Sequence, residues 1–183
     1  MLGELGAGVI DSDALSHEEI NHPVVKETLV RWWGGKALDA DGAVDREAVA
    51  AIVFNDPTQR HRLEALLHPR IAVRRADAIA EFEAQPRVKL IVLDSPLLYE
   101  SDLDSMCDAV IFVDSARERR LARSEATRHW TAEEVARREK LQQPLDMKRA
   151  RADYICENNS TPSDLRARVE EVFARIVSAS GAL

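Results

Sequence analysis

Two stretches, "VKLIVLDS" at 88–95 and "DAVIFVDS" at 108–115, are apolar almost throughout, and each ends in an aspartate followed by a serine. Apolar runs of this length, flanked by helical periodicity rather than hairpin turns, mark parallel strands buried on both faces. A strand with one wet face would alternate apolar and polar residues; these two do not. A shorter run, Val9-Ile10, ends in the two acids of "GVIDSD" at 8–13, and "ADYIC" at 152–156 reads as a last short strand.

Between the strands the apolar period becomes that of a helix. Residues 17–33 place Ile20, Val24, Leu29 and Trp32 or Trp33 near helical spacing, and Gly34-Gly35 stops the run before the turn "DADG" at 39–42. Asp45 caps a second helix through Phe54, and Asp56-Pro57 starts a third, with proline at the first helical position, where an N–H is not needed. Pro69 is expected to break or kink that helix, with a fourth continuing to about Ala84. Two helices are expected in residues 117–151, the second opened by a capping box, Thr131-x-x-Glu134. Thr161-Pro162 caps a C-terminal helix with Leu165, Val169, Val172, Phe173 and Ile176 on one face. This order of elements predicts an α/β fold, an open parallel sheet with flanking helices.

Open parallel sheets bind ligands beyond the carboxyl ends of their strands. Here those ends are Asp11 and Asp13, Asp94-Ser95, Asp114-Ser115 and Glu157-Asn158, and all are expected to converge on one edge. In an extended chain Asp11 and Asp13 share a face. Such a pair can hold a divalent cation, or one acid can accept a proton while the other orients a substrate. The alternative has Asp11 capping the following turn, with Asp13 alone facing ligand. His68-Pro69 reads as a helix junction with a hydrogen-bonded histidine. Glu100, after "PLLY", is a ligand contact or a helix-capping acid. Arg123, about a turn into the segment after Asp114, is either a helix-surface partner for a carboxylate or an arginine able to close over a nucleotide and neutralise charge during phosphoryl transfer.

Charge sharpens the second reading. The 183 residues carry −7 overall, yet residues 117–151 hold 11 Lys and Arg against 6 Asp and Glu. A basic segment in an acidic protein fits an anionic ligand such as phosphate, or else a salt-bridged, solvated helix. A nucleic-acid module is disfavoured, because Trp130 is the only aromatic in the segment and the rest of the chain is acidic. No apolar run reaches the roughly 18 residues of a membrane span, and no secretory signal is visible. Two cysteines, Cys107 and Cys156, cannot build a disulfide framework, and no Cys/His spacing suits zinc. The expectation is a cytoplasmic protein without membrane or nucleic-acid partners.

Acids at strand ends beneath an arginine-rich cover describe a nucleoside or nucleotide kinase. Such a kinase needs a loop for the ATP phosphates, usually G-x-x-x-x-G-K-[ST]. "GELGAG" at 3–8 has no following Lys-Ser or Lys-Thr. "WWGGKA" at 32–37 lacks the first glycine and the terminal Ser or Thr. Neither qualifies.

"LGAGVIDSD", "DADG" with "VDREAVAAIVFNDP", "RLEALLHPRI", "VLDSPLLYES", "AVIFVD" and "ADYICENN" occur in this order, and together they resemble the dephospho-coenzyme A kinase family over essentially the whole chain. The resemblance implies a P-loop kinase-like fold with a helical substrate-binding region and a lid. The core would take about 1–16, 86–116 and 152–183, the helical coenzyme A-binding region about 17–85, and the lid about 117–151, in a single domain over 1–183. It implies transfer of the ATP γ-phosphate, with Mg²⁺, to the ribose 3′-hydroxyl of dephospho-CoA, the last step of coenzyme A synthesis. Its motifs put the catalytic aspartate at Asp13 and the lid arginine at Arg123. Asp11, His68 and Glu100 fall to acceptor binding; Arg128, Lys148 and Asn158 fall to the ATP side. The departures are His17 and Lys148, where the family often has arginine, and Thr127, where a second lid arginine would stand beside Arg128 and His129.

In the family the "LGAxVIDAD" segment follows a strand, the phosphate loop and a first helix, so the chain is expected to lack its N-terminal part and to be inactive as given. Loss of a central strand would leave buried backbone groups unpaired, at about 1–3 kcal/mol each. A kinase starting upstream of Met1 and a non-catalytic nucleotide- or CoA-binding scaffold are the two readings. An in-frame G-x-x-x-x-G-K-[ST] upstream of the Met1 codon would decide for the first.

Overall fold

The computed structural model describes residues 1–181; the last two residues of the expected core range 152–183 lie outside the described residues. The chain forms two compact units, Gly8–Asp94 and Met1–Ala7 with Ser95–Leu183.

In the first unit, β1 (Gly8–Asp11) pairs in parallel with β2 (Ile91–Asp94), in register from Gly8 against Ile91 to Asp11 against Asp94. Five helices lie between them: α1 (Ser12–Ile20), α2 (Pro23–Trp33), a 3₁₀ turn (Gly34–Ala37), α3 (Arg46–Asn55) and α4 (Pro57–Glu83). The expected single helix over 17–33 is two helices. Asn21 and His22 interrupt it, and Pro23 opens α2 with the His22 side chain as N-cap, since proline fits a first turn but not a helix interior. The expected break at Pro69 does not occur either, for α4 runs through it over 27 residues. Proline there removes one amide donor, and packing of α4 on α1 and α3 carries the helix across that loss. Asp45 and Asp56 cap α3 and α4 as expected. The core is helical: Val25, Leu29, Val44, Val49 and Leu63 pack with Trp32 and Trp33. Gly8 has no room for a side chain, because a Cβ there would stand 2.5 Å from the Phe82 ring of α4.

In the second unit, β3 (Ile111–Asp114) pairs in parallel with β4 (Tyr154–Glu157), in register from Ile111 against Tyr154 to Asp114 against Glu157. Residues 117–151 form three helices, not two: α5 (Arg117–Arg128), α6 (Ala132–Glu139) and α7 (Leu145–Arg151). Thr131 caps α6 through the Glu134 amide, but the Glu134 carboxylate turns to Arg137 and Arg138, so the capping box is half made. The full box stands at α8 (Pro162–Ala179), where Thr161 and Asp164 cap one another's backbone. Residues Leu2–Leu5 form a 3₁₀ turn ended by Gly6 at φ +93°; the turn packs on α8, where Arg166 pairs with Glu4.

Each strand pair is a two-stranded ribbon, and this corrects the expectation of strands buried on both faces. Val9 is 44% and Val113 57% exposed. Along β1, Gly8 and Ile10 are buried and Val9 and Asp11 exposed, since a helix covers one face of the pleat only. Among the described residues no helix is long and apolar enough to cross a membrane.

Candidate active site

The carboxyl ends of both strand pairs carry acids in register, Asp11 with Asp94 and Asp114 with Glu157. In the first unit the chain turns directly from β1 into α1. Asp11 becomes its N-cap, accepting the Ala14 amide at 2.9 Å. Asp13 therefore lies in the first helical turn, not on an extended strand, and does not share a face with Asp11 in the expected sense. A carboxylate in that turn gains from the positive end of the helix dipole. The other end of α1 is held by Glu19, 2% exposed, which pairs with Arg70 and lies 3.6 Å from Arg74, both on α4.

Among the described residues no lysine, arginine or histidine pairs with Asp11, Asp13 or Asp94. Partial desolvation of the Asp94 carboxyl raises its pKa above the ordinary aspartate value, and repulsion from Asp11 and then Asp13 adds to the rise. The three acids thus form an uncompensated negative end to the β1–β2 pair. Asp94 was visible as a strand-end acid in the sequence, but nothing there singled it out as a site residue; its register with Asp11 does. His68 is exposed on α4 and makes no hydrogen bond among the described residues, so the expected hydrogen-bonded histidine at a helix junction is not what forms. Among those residues no group of three or more His, Cys, Asp or Glu side chains is arranged to hold a metal ion.

In the second unit the strand-end acids are neutralised. Asp114 pairs with Arg149 at 3.0 Å and Glu157 with Arg168 at 2.7 Å. Among the described residues Arg123 pairs with no carboxylate. It donates to Ser115 Oγ at 3.1 Å, to the Asn158 carbonyl at 2.9 Å and to Asn158 Oδ1 at 2.8 Å. Arg123 and Asn158, assigned from the sequence to separate motifs, are therefore in direct contact. Arg128 and Arg138 both lie over the Trp130 ring, at 4.8 and 4.0 Å.

Glu100 and Lys148, assigned from the sequence to opposite substrates, are each other's partners. Lys148 is 6% exposed; its ammonium gives its three N–H groups to Glu100 Oε1 at 2.8 Å, the Pro96 carbonyl at 3.1 Å and Gln142 Oε1 at 3.2 Å. Burial alone would raise the Glu100 pKa, but the Lys148 ammonium and the Gln143 amide, at 2.7 Å, hold it below the ordinary glutamate value. The other oxygen, Glu100 Oε2, is buried without a hydrogen bond. No sequence signal marked this pairing, because the two residues lie 48 positions apart on elements of different type.

Comparison with known proteins bears on what these groups do. The family model for dephospho-CoA kinase matches residues 1–164. The dephospho-CoA kinase of Anaeromyxobacter dehalogenans is 35% identical over 183 residues, which cover 99% of this chain and 86% of that protein. That of Symbiobacterium thermophilum is 37% identical over 182 residues, covering 99% of this chain and 76% of that one. Among solved structures, a crystal structure from Thermus thermophilus superposes with TM-score 0.81 at 30% identity, covering 95% of this chain and 87% of that one. The dephospho-CoA kinase from Campylobacter jejuni superposes with TM-score 0.68 at 22% identity, covering 97% and 89%.

Proposed function

The chain belongs to the dephospho-CoA kinase family, a family of phosphotransferases, and from that premise we propose that it phosphorylates the ribose 3′-hydroxyl of dephospho-CoA with ATP to give coenzyme A. The observation that carries the assignment of roles is the uncompensated acid group Asp11, Asp13 and Asp94 at one strand-pair end. In this reading the 3′-oxygen attacks the γ-phosphorus, the bond from that phosphorus to the β–γ bridging oxygen breaks, and ADP leaves. The proton of the hydroxyl passes to the Asp13 carboxylate, which is unpaired and can accept it. Asp11 is occupied as a helix cap, so its part is to fix the turn that presents Asp13.

Mg²⁺ would come with the nucleotide in this scheme, since among the described residues no group of His, Cys, Asp or Glu side chains is arranged to hold it. Arg123 supplies positive charge to the transferring phosphoryl group, and Asn158 and Arg128 lie on the ATP side with it. His68, exposed on α4, serves the acceptor from the helical region of about 17–85, while residues of about 117–151 act as the lid. Glu100 serves the acceptor side, and Lys148 acts by holding Glu100. We place the protein in the cytoplasm, with dephospho-CoA and ATP as its partners.

The test is an assay of dephospho-CoA phosphorylation by the whole product of the reading frame and by the 183-residue chain. Coenzyme A formed by the whole product is expected. No product from either overturns the kinase reading for this protein.

A further inference from the structure

We propose that Ser115 is a positioning residue which, with Asn158, forms a neutral cradle holding the Arg123 guanidinium fixed and fully charged for an anionic phosphate ligand. This rests on the reading of Arg123 as the phosphate-facing lid arginine, and it extends that reading to Ser115, to which no motif gives a role.

Ser115 is the first residue beyond β3 and its side is closed to water, at 8% exposure. A buried hydroxyl must be used in both directions. Its oxygen accepts Arg123 at 3.1 Å while its proton goes to the Asn158 carbonyl at 3.2 Å. Its carbonyl accepts Arg120 at 2.7 Å. Arg120 and Arg123 are three residues apart and so lie on one face of α5, and that face closes on Ser115. Arg120 continues to Glu139 of α6 at 2.8 Å, which ties α5 and α6 to the same point.

The chemistry of the partners separates Arg123 from its neighbours. Among the described residues of this unit, every other arginine that donates a side-chain hydrogen bond gives at least one to a carboxylate. Arg123 gives all of its bonds to a hydroxyl, a backbone carbonyl and an amide oxygen. Three neutral acceptors fix a guanidinium in direction without cancelling its charge, whereas a carboxylate would do both. Arg123 remains exposed, so an anion can reach it. A cation held in place before its ligand arrives needs no reorganisation when charge develops.

The discriminating variant is Asn158→Asp. A merely structural role predicts that it is tolerated, because guanidinium bonds to a carboxylate are the stronger ones. The cradle predicts the reverse: the fold keeps or gains thermal stability while the charge offered to an anion is lost. Inorganic tripolyphosphate is the probe, titrated into the 183-residue chain and followed by calorimetry and by the labelled Arg123 side-chain NMR signal. Expected is a loss of affinity of about tenfold or more for Asn158→Asp, and about threefold for Ser115→Ala, restored by Ser115→Thr. In an Arg123→Ala background, Ser115→Ala should add nothing. Wild-type affinity in Asn158→Asp, no tripolyphosphate binding by the parent chain, or a Ser115→Ala loss that persists without Arg123 would each overturn the proposal. Failure of the kinase reading is seen separately, as absence of coenzyme A product with the binding pattern intact.

Discussion

The β1–β2 and β3–β4 pairs are alike in length, direction and ending, and they treat their terminal acids in opposite ways. Asp114 and Glu157 each meet an arginine, from α7 and α8. Among the described residues Asp11 and Asp94 meet no base, and Asp13 of the adjoining helical turn adds a third negative charge. The first arrangement stabilises a strand end. The second destabilises one, and a destabilised, uncompensated group is what a catalytic site costs a fold. An acid at a strand end is therefore no sign of chemistry by itself; the missing counter-charge is.

The comparison is broken most directly by turnover. In the whole reading-frame product, Asp13→Asn is expected to lower the rate of coenzyme A formation by about 10²–10⁴, the usual worth of a positioned base, with ATP binding nearly unchanged. Asp114→Asn should leave the rate within a few-fold of the parent. Equal losses in the two variants would erase the distinction.

Next in size is the buried pair of the second unit. Glu100→Gln leaves the Lys148 ammonium, 8% exposed at its side chain, without its counter-charge. Chemical denaturation should show a loss of about 3–5 kcal/mol, and Glu100→Gln with Lys148→Met should recover much of it. Additive losses in that double variant would show that the two groups do not act as a pair.

A smaller effect carries opposite signs at the two strand ends. Asp94→Asn removes a repelled, partly desolvated charge and should raise the melting temperature. Asp114→Asn leaves Arg149 unpaired and should lower it. Asp94 is exposed, and Arg149 and Asp114 have side-chain exposures of 51% and 33%, so each change is expected to stay below about 1 kcal/mol. Shifts of the same sign would remove the electrostatic account.

The smallest expected effect lies in the acid limb of stability. The folded Asp94 pKa lies above its unfolded value, so the folded state binds this proton more tightly. Its unfavourable contribution sets in as pH rises from the ordinary aspartate range through the folded pKa, and is absent below. Glu100 has the opposite slope. Its folded pKa is lowered, so its contribution is present above the ordinary glutamate range and lost as pH falls through the folded value. Denaturant titrations of Asp94→Asn and Glu100→Gln against the parent should show both differences shrinking as pH drops, from opposite signs.

The sequence by itself determined the local elements: the caps at Asp45, Asp56 and Thr161, the glycine stop after Trp33, the four apolar runs and the acids that end them. It also carried the family, because motifs such as "LLHPRI" and "DSPLLYE" survive as strings. Local elements are legible because capping and periodicity act over three or four residues. What depended on distant partners was misread or invisible. Pro69 sits inside a continuous helix because α1 and α3 brace it, and residues 117–151 form three helices instead of two. Only the tertiary structure decided which acids are neutralised, that Glu100 and Lys148 belong to each other, and that Arg123 rests on Ser115 and Asn158. Those outcomes are set by distances of a few ångströms between residues 8 to 48 positions apart, and electrostatic strength depends on that separation and on the water around it. Neither quantity is written in the order of the residues.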